Sequence, residues 1–138
     1  MDKRFKNDFF VLLEAGFIAV NQADEDAALK LFKAAEMLDP KNILPSVGFG
    51  YLHLHKLELT QAIKRFEEAL HKEPGNEMAK SLLGICMSLS PDLLAKGEKI
   101  LSQTTHSKDP AIKELSHTAL TFVEKFVKKP SGPAGKNK

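Results

Sequence analysis

A chain of 138 residues that is 43% hydrophobic and 28% charged holds enough apolar material for one buried core or one compact repeat array, and too much for a disordered protein. Its 20 basic and 18 acidic side chains leave a charge of +2, which gives no broad electrostatic case for binding nucleic acid or inserting at a membrane. A single cysteine, Cys86, excludes an internal disulfide and, with no Cys/His cluster beside it, a structural zinc site, so a reducing, cytoplasmic setting is expected.

The chain opens with MDKRFKNDFFVLLEAGFIAV, a basic start followed by an apolar run. Glu14 interrupts the run and no small-x-small cleavage pattern follows, which argues against a signal peptide. The run is also far shorter than the ~20 apolar residues that span a bilayer. Phe9, Phe10, Leu12, Leu13, Gly16, Phe17 and Val20 recur at three- and four-residue spacings, which predicts a first helix over 5–21. The turn NQADED places acidic groups at the start of a second helix over 24–38. That helix stops at Asp39-Pro40, because proline cannot continue a helix and pushes the residue before it out of helical geometry.

Helices near 42–56 and 59–72 repeat this pair, and Pro74 ends the second of them. Asn76 is the expected N-cap of a fifth helix. Ser90-Pro91 reads as the start of a sixth, with serine as cap and proline at the first helical position. After Asp109-Pro110, Ile112, Leu115, Ala119, Phe122, Val123 and Phe126 form one stripe of a seventh. No strand signal appears: there is no Asn-Gly or Asp-Gly hairpin and no long period-two run. In the tail KKPSGPAGKNK, Lys128, Lys129, Lys136 and Lys138 face no acid, and 130–138 is expected to be a disordered, solvated Lys/Gly/Pro end.

A period of 34 residues runs through these elements. It relates Ala28 to Ala62, Phe32 to Phe66, Ala35 to Ala69, Pro40 to Pro74 and Asn42 to Asn76, and it links Gly16, Gly50 and Gly84. The third copy is degenerate, because the period lands on Lys96, Ile100, Gln103 and Lys108. Sliding its second half by one or two residues recovers Gly97, Leu101, Thr104 and Pro110, so a displaced loop is expected there.

These residues resemble the tetratricopeptide repeat, in which Gly lies in the first helix, Ala-x3-Phe-x2-Ala in the second and Pro at the end. The resemblance implies an all-α solenoid of three helix pairs, with repeats at 9–42, 43–76 and 77–110, and a capping helix over 110–129 that closes a single array spanning 1–129. The large aromatic of the family's first helix is missing, since Leu12, Ser46 and Lys80 stand at that position. Ala, Gly and Phe at the repeat positions are packing residues rather than a site.

In that family the first helices line a concave groove. Carried over position by position, the implied groove residues are Phe10, Leu13, Phe17 and Val20, then Leu44, Val47, Tyr51 and Leu54, then Met78, Ser81, Ile85 and Ser88. Leu13, Phe17, Gly48, Met78 and Leu82 stand where a carboxylate clamp for a heat-shock chaperone tail would need Lys, Asn and Arg, so that client does not fit. An apolar groove suits an amphipathic helix or an apolar extended segment.

A small three-repeat chain with an apolar groove resembles the bacterial type III secretion chaperones. The needle-subunit branch implies a client helix held in the groove against premature polymerisation, with a second small co-chaperone on the N-terminal part. The alternatives are the translocator branch, or a general adaptor binding an apolar peptide. No catalytic or metal-binding constellation and no cofactor motif appears. His53 and His55 lie two apart and point differently, and Ser81 and Ser88 lack a base.

Overall fold

A computed structural model of the chain describes residues 3–128, and among these there is helix and turn but no strand. The helices are α1 (Lys3–Asn21), α2 (Glu25–Leu38), α3 (Leu44–His55), α4 (Leu59–Lys72), α5 (Glu77–Ser88), α6 (Leu94–Thr104) and α7 (Pro110–Phe122). A short 3-10 turn, Pro91–Leu93, precedes α6, and α7 continues into π-helical turns over Val123–Lys128. The expected disordered tail, 130–138, lies outside the described residues, as does the last residue of the expected capping helix. No described helix is long and apolar enough to cross a membrane.

Local chemistry sets most of the boundaries. Asp24 accepts a hydrogen bond from the Ala27 amide at 3.1 Å, Asn76 from Ala79 at 2.9 Å and Asp109 from Ala111 at 2.9 Å, so α2, α5 and α7 each begin on a side-chain cap. Asn42 instead accepts from the amide of Leu44 at 2.9 Å, which turns the chain locally and delays α3 by two residues from the expected start. Proline ends α2 and α4 as read from the sequence: Leu38 and Lys72 are their last helical residues.

The chain divides into two compact units, Met1–Pro74 and Gly75–Lys138. The boundary falls where the second 34-residue period ends, inside what the sequence presents as one array. In the first unit α1 packs on α2, α3 on α4, and α3 on both α1 and α2. Phe9, Leu13, Ala19, Val20, Ala28, Phe32, Ala35, Phe49 and Leu52 form its buried cluster. The apolar N-terminal run is therefore a core helix, which explains why its apolar face is so broad.

The small-large-small pattern has a steric meaning. Phe32 of α2 is fully buried, and a Cβ added to Gly48 would lie 2.5 Å from its ring, while one added to Gly16 would lie 2.7 Å from its Cδ1. The ring thus sits between two glycines, one from α1 and one from α3. Phe66 meets Gly50 in the same way, with 2.5 Å to an added Cβ. Gly48 is not part of the 34-residue ladder, so its share of this packing was not readable from the repeat.

In the second unit α5 packs on α6 and α7, and α6 on α7. Buried Gly97, Leu101 and Thr104 of α6 stand where α2 has Ala28, Phe32 and Ala35 and α4 has Ala62, Phe66 and Ala69. A Cβ on Gly84 would lie 2.9 Å from Leu101, the counterpart of the Gly50–Phe66 approach. The displacement of this half has a backbone cause. Ala23 and Leu57, which are 34 residues apart, both adopt φ 59° in the turn between paired helices. The next position in that series is Pro91, whose ring holds φ near −65°, so this turn is unavailable and a 3-10 turn replaces it. Ser90 corrects the sequence reading: its hydroxyl makes no cap bond and donates to the Cys86 carbonyl at 3.2 Å, and α6 starts only at Leu94.

Candidate partner-binding surface

The twelve residues named from the family pattern separate by burial. Leu13, Val20 and Val47 are buried, so they serve the packing of α1 and α3 and present almost no surface to a partner. The cause for Leu13 and Val20 is that α1 is flanked by both α2 and α3, and both side chains enter the core cluster. Ser81 and Ser88 are buried too, Ser81 with its hydroxyl on the Met78 carbonyl at 2.9 Å. What remains accessible in the first unit is Phe10, which is exposed, and Phe17, Leu44, Tyr51 and Leu54, which are half-buried. Met78 is exposed and Ile85 half-buried in the second unit.

Phe17 and Tyr51 bring α1 and α3 together. Their ring centroids are 5.5 Å apart, Phe17 stands edge-on to Phe32 at 5.2 Å, and Tyr51 meets the His55 ring at 4.6 Å. The Tyr51 hydroxyl donates to Asn21 Oδ1 at 2.8 Å, which fixes the ring and leaves its face as apolar surface. These contacts make a rigid aromatic platform rather than a loose patch.

Beside it lies a polar network that helical spacing could not show. Lys56 Nζ reaches Glu25 at 2.6 Å and Glu58 at 3.3 Å, and His53 Nδ1 meets Glu58 Oε1 at 2.8 Å. The network ties the α3–α4 turn to the start of α2. Hydrogen bonding from His53, with Lys56 adding to it, holds the Glu58 carboxyl below the usual range, and Glu25 holds the Lys56 ammonium above its usual range. His53 faces Glu58 and His55 faces Tyr51, so the two histidines serve different neighbours. Among the described residues no group of three or more His, Cys, Asp or Glu is arranged to hold a metal ion.

Two further apolar features were not singled out by the sequence. On α1, Val11 and Ile18 are more than half exposed, and on α2 Met37 is 78% exposed; Val11 and Met37 line a shallow cavity of about 470 Å³. Val11 and Ile18 precede Pro45 and Leu52 by one period, and those two are buried in α3. The first helix pair thus carries, uncovered, the surface that the second pair buries. In the second unit, α5 and α7 leave an apolar slot of about 280 Å³. Cys86 is fully buried, and burial pushes its thiol up to about 12.

Comparison with known proteins yields no match: no family description, no curated protein and no solved structure is similar to this chain.

Proposed function

We propose that the chain is a tetratricopeptide-type helical array whose apolar first-helix surface holds the amphipathic helix of a secreted, self-assembling subunit, in the manner of a cytoplasmic type III secretion chaperone. The observation that carries this reading is the platform on α1 and α3: accessible Phe10, Phe17, Leu44, Tyr51 and Leu54, with Phe17 and Tyr51 held by ring contacts and a hydrogen bond. Such a surface favours an apolar stripe at i, i+3, i+4 and i+7 over a charged peptide. Glycines meeting Phe32, Phe66 and Leu101 at matching places in each helix pair support the repeat architecture.

The uncovered outer side of α1 and α2 supports the second partner of this scheme, a small co-chaperone that packs where a preceding helix pair would sit. Burial of the client's apolar helix keeps it from pairing with further copies until export. The test is affinity purification from the source organism with mass spectrometry, done with the wild type and with a Phe10→Glu/Tyr51→Glu variant. The expected result is a small helical secreted protein that is retained by the wild type and lost by the folded variant. Equal retention by both would mean that the client binds elsewhere, and ribosomal or heat-shock partners alone would refute the secretion role.

A further inference from the structure

We propose that α7 is a detachable strap, which swings off α5 and α6 as one helix while both of them stay folded and so uncovers Ile85 of α5. Its apolar hold on the second unit is small. Of its thirteen residues only Ile112 and Ser116 are buried, against eight of the twelve in α5. Between Leu115 and Val123 its contact with Ile85 and Leu89 of α5 gives way to the slot of about 280 Å³. Atoms that line such a gap forfeit the dispersion contacts a close-fitting helix would make, so this stretch contributes less than its apolar composition suggests.

Much of the remaining hold is polar. Thr104 of α6 and Ser116 share one buried hydrogen bond of 2.6 Å, and past the end of α7 Lys128 reaches Glu98 of α6 at 3.1 Å. The Lys128 side chain is 42% exposed, so that ion pair contributes little. Thr104 also has the Leu101 carbonyl at 3.1 Å to donate to, so parting from Ser116 leaves its hydroxyl with a partner. A pivot is built in: Ser107 donates to Glu77 of α5 at 2.6 Å and accepts from the Asp109 amide at 3.1 Å, which pins the turn before α7 to the start of α5. Asp109 caps α7 and Pro110 is its first residue, so the helix carries its own start signal and leaves intact. A segment with few buried apolar residues on a fixed pivot is of the kind that opens below the free energy of global unfolding. In the second unit Met78 and Ile85 are the accessible residues of the first-helix pattern, so docked α7 covers part of what that unit offers a client. This last consequence rests on the proposed function, and the opening itself does not.

The test is hydrogen exchange of the full chain followed by mass spectrometry, with helicity checked by circular dichroism. The α7 amides are expected to exchange together, at least about tenfold faster than those of α5 and α6. Ser116→Ala, which removes the buried hydrogen bond, is expected to speed α7 further, and Ala119→Leu, which fills the slot from within α7, to slow it. A Thr104→Cys/Ser116→Cys disulfide, at positions whose hydroxyls already touch, is expected to slow α7 to the α5 rate when oxidised and to release it on reduction, while Cys86 stays buried. Wild-type α7 that exchanges at the α5 rate would overturn the proposal, as would amides that fray one by one from the Lys128 end. So would a crosslinked chain whose α7 exchanges as fast as the reduced one. For the covering of Ile85 the probe is a synthetic amphipathic helix with leucine at i, i+3, i+4 and i+7, expected to bind the reduced chain more tightly than the oxidised one and to lose that difference in Ile85→Glu. Equal binding by both forms would overturn the covering role alone. No binding to either form would overturn the proposed function and the covering role with it, whereas the opening stands or falls on exchange.

Discussion

The Phe32 ring is held between glycines on two different helices, and this makes the steric core of the first unit open to measurement. An alanine at position 16 would place its Cβ 2.7 Å from Phe32 Cδ1, where ordinary carbon contacts need about 3.5–4.0 Å. The ring cannot retreat the other way, because it is equally close to where a side chain on Gly48 would begin, and the Phe17 and Phe49 rings stand at 5.2 and 5.7 Å. Overpacking with no escape belongs at the upper end of its usual range, about 3 kcal/mol. Alanine recovers about 1 kcal/mol over glycine as a helix former, which leaves Gly16→Ala destabilising by about 2 kcal/mol.

Phe32→Ala alone should cost about 3–5 kcal/mol through the cavity it leaves. In that background the clash is gone, so adding Gly16→Ala should stabilise by about 1 kcal/mol, and the two changes should couple by about 3 kcal/mol. Urea unfolding of the four proteins of this cycle, followed by far-ultraviolet circular dichroism, measures each term. Gly75→Ala is the control: no atom lies within 4 Å of its added Cβ, so it should change stability by less than about 0.5 kcal/mol. If Gly16→Ala costs the same with and without the Phe32 ring, the close approach is not what selects glycine here, and the packing logic of the repeat fails with it.

The remaining predictions concern the turns and the buried thiol. Leu57 is exposed and sits at φ 59°, a left-handed conformation that disfavours a branched side chain, so Leu57→Gly should raise the urea midpoint, by about 0.5–1 kcal/mol in stability. A lowered midpoint would show that the side chain contributes packing there. For Cys86, the fold favours the neutral thiol, so its contribution is complete below about pH 9 and is lost as pH rises towards about 12. Wild-type stability should therefore fall more steeply than that of Cys86→Ala over this interval, by up to about 1.4 kcal/mol per pH unit, as read by urea titration at each pH. Parallel alkaline limbs in the two proteins would show that the thiol is not protected by burial.

The parts of the fold legible in the sequence are those where one residue type has one physical reason. Pro40 and Pro74 stop helices by sterics, Asp24, Asn76 and Asp109 cap them, and Ala28, Phe32 and Ala35 state a close helix crossing that recurs one period later. The slipped third copy was visible as a mismatch, but its cause was not, because it lies in a dihedral angle: Ala23 and Leu57 look unremarkable until both are found at positive φ, and only then does Pro91 forbid the same turn.

The candidate surface was only half legible for a related reason. A positional pattern says which way a side chain leaves its helix, yet accessibility depends on how many neighbours that helix has. Because α1 has two, Leu13 and Val20 fall inside the core, while Phe10 and Phe17 on the same helix stay accessible. The same dependence explains the exposed Val11 and Ile18. They carry the apolar character that Pro45 and Leu52 need in the second pair, but no earlier pair in the described residues covers them. In a repeated architecture the chemistry of an internal interface is thus written onto its ends, and an end left uncovered is already shaped and apolar enough to receive another helix.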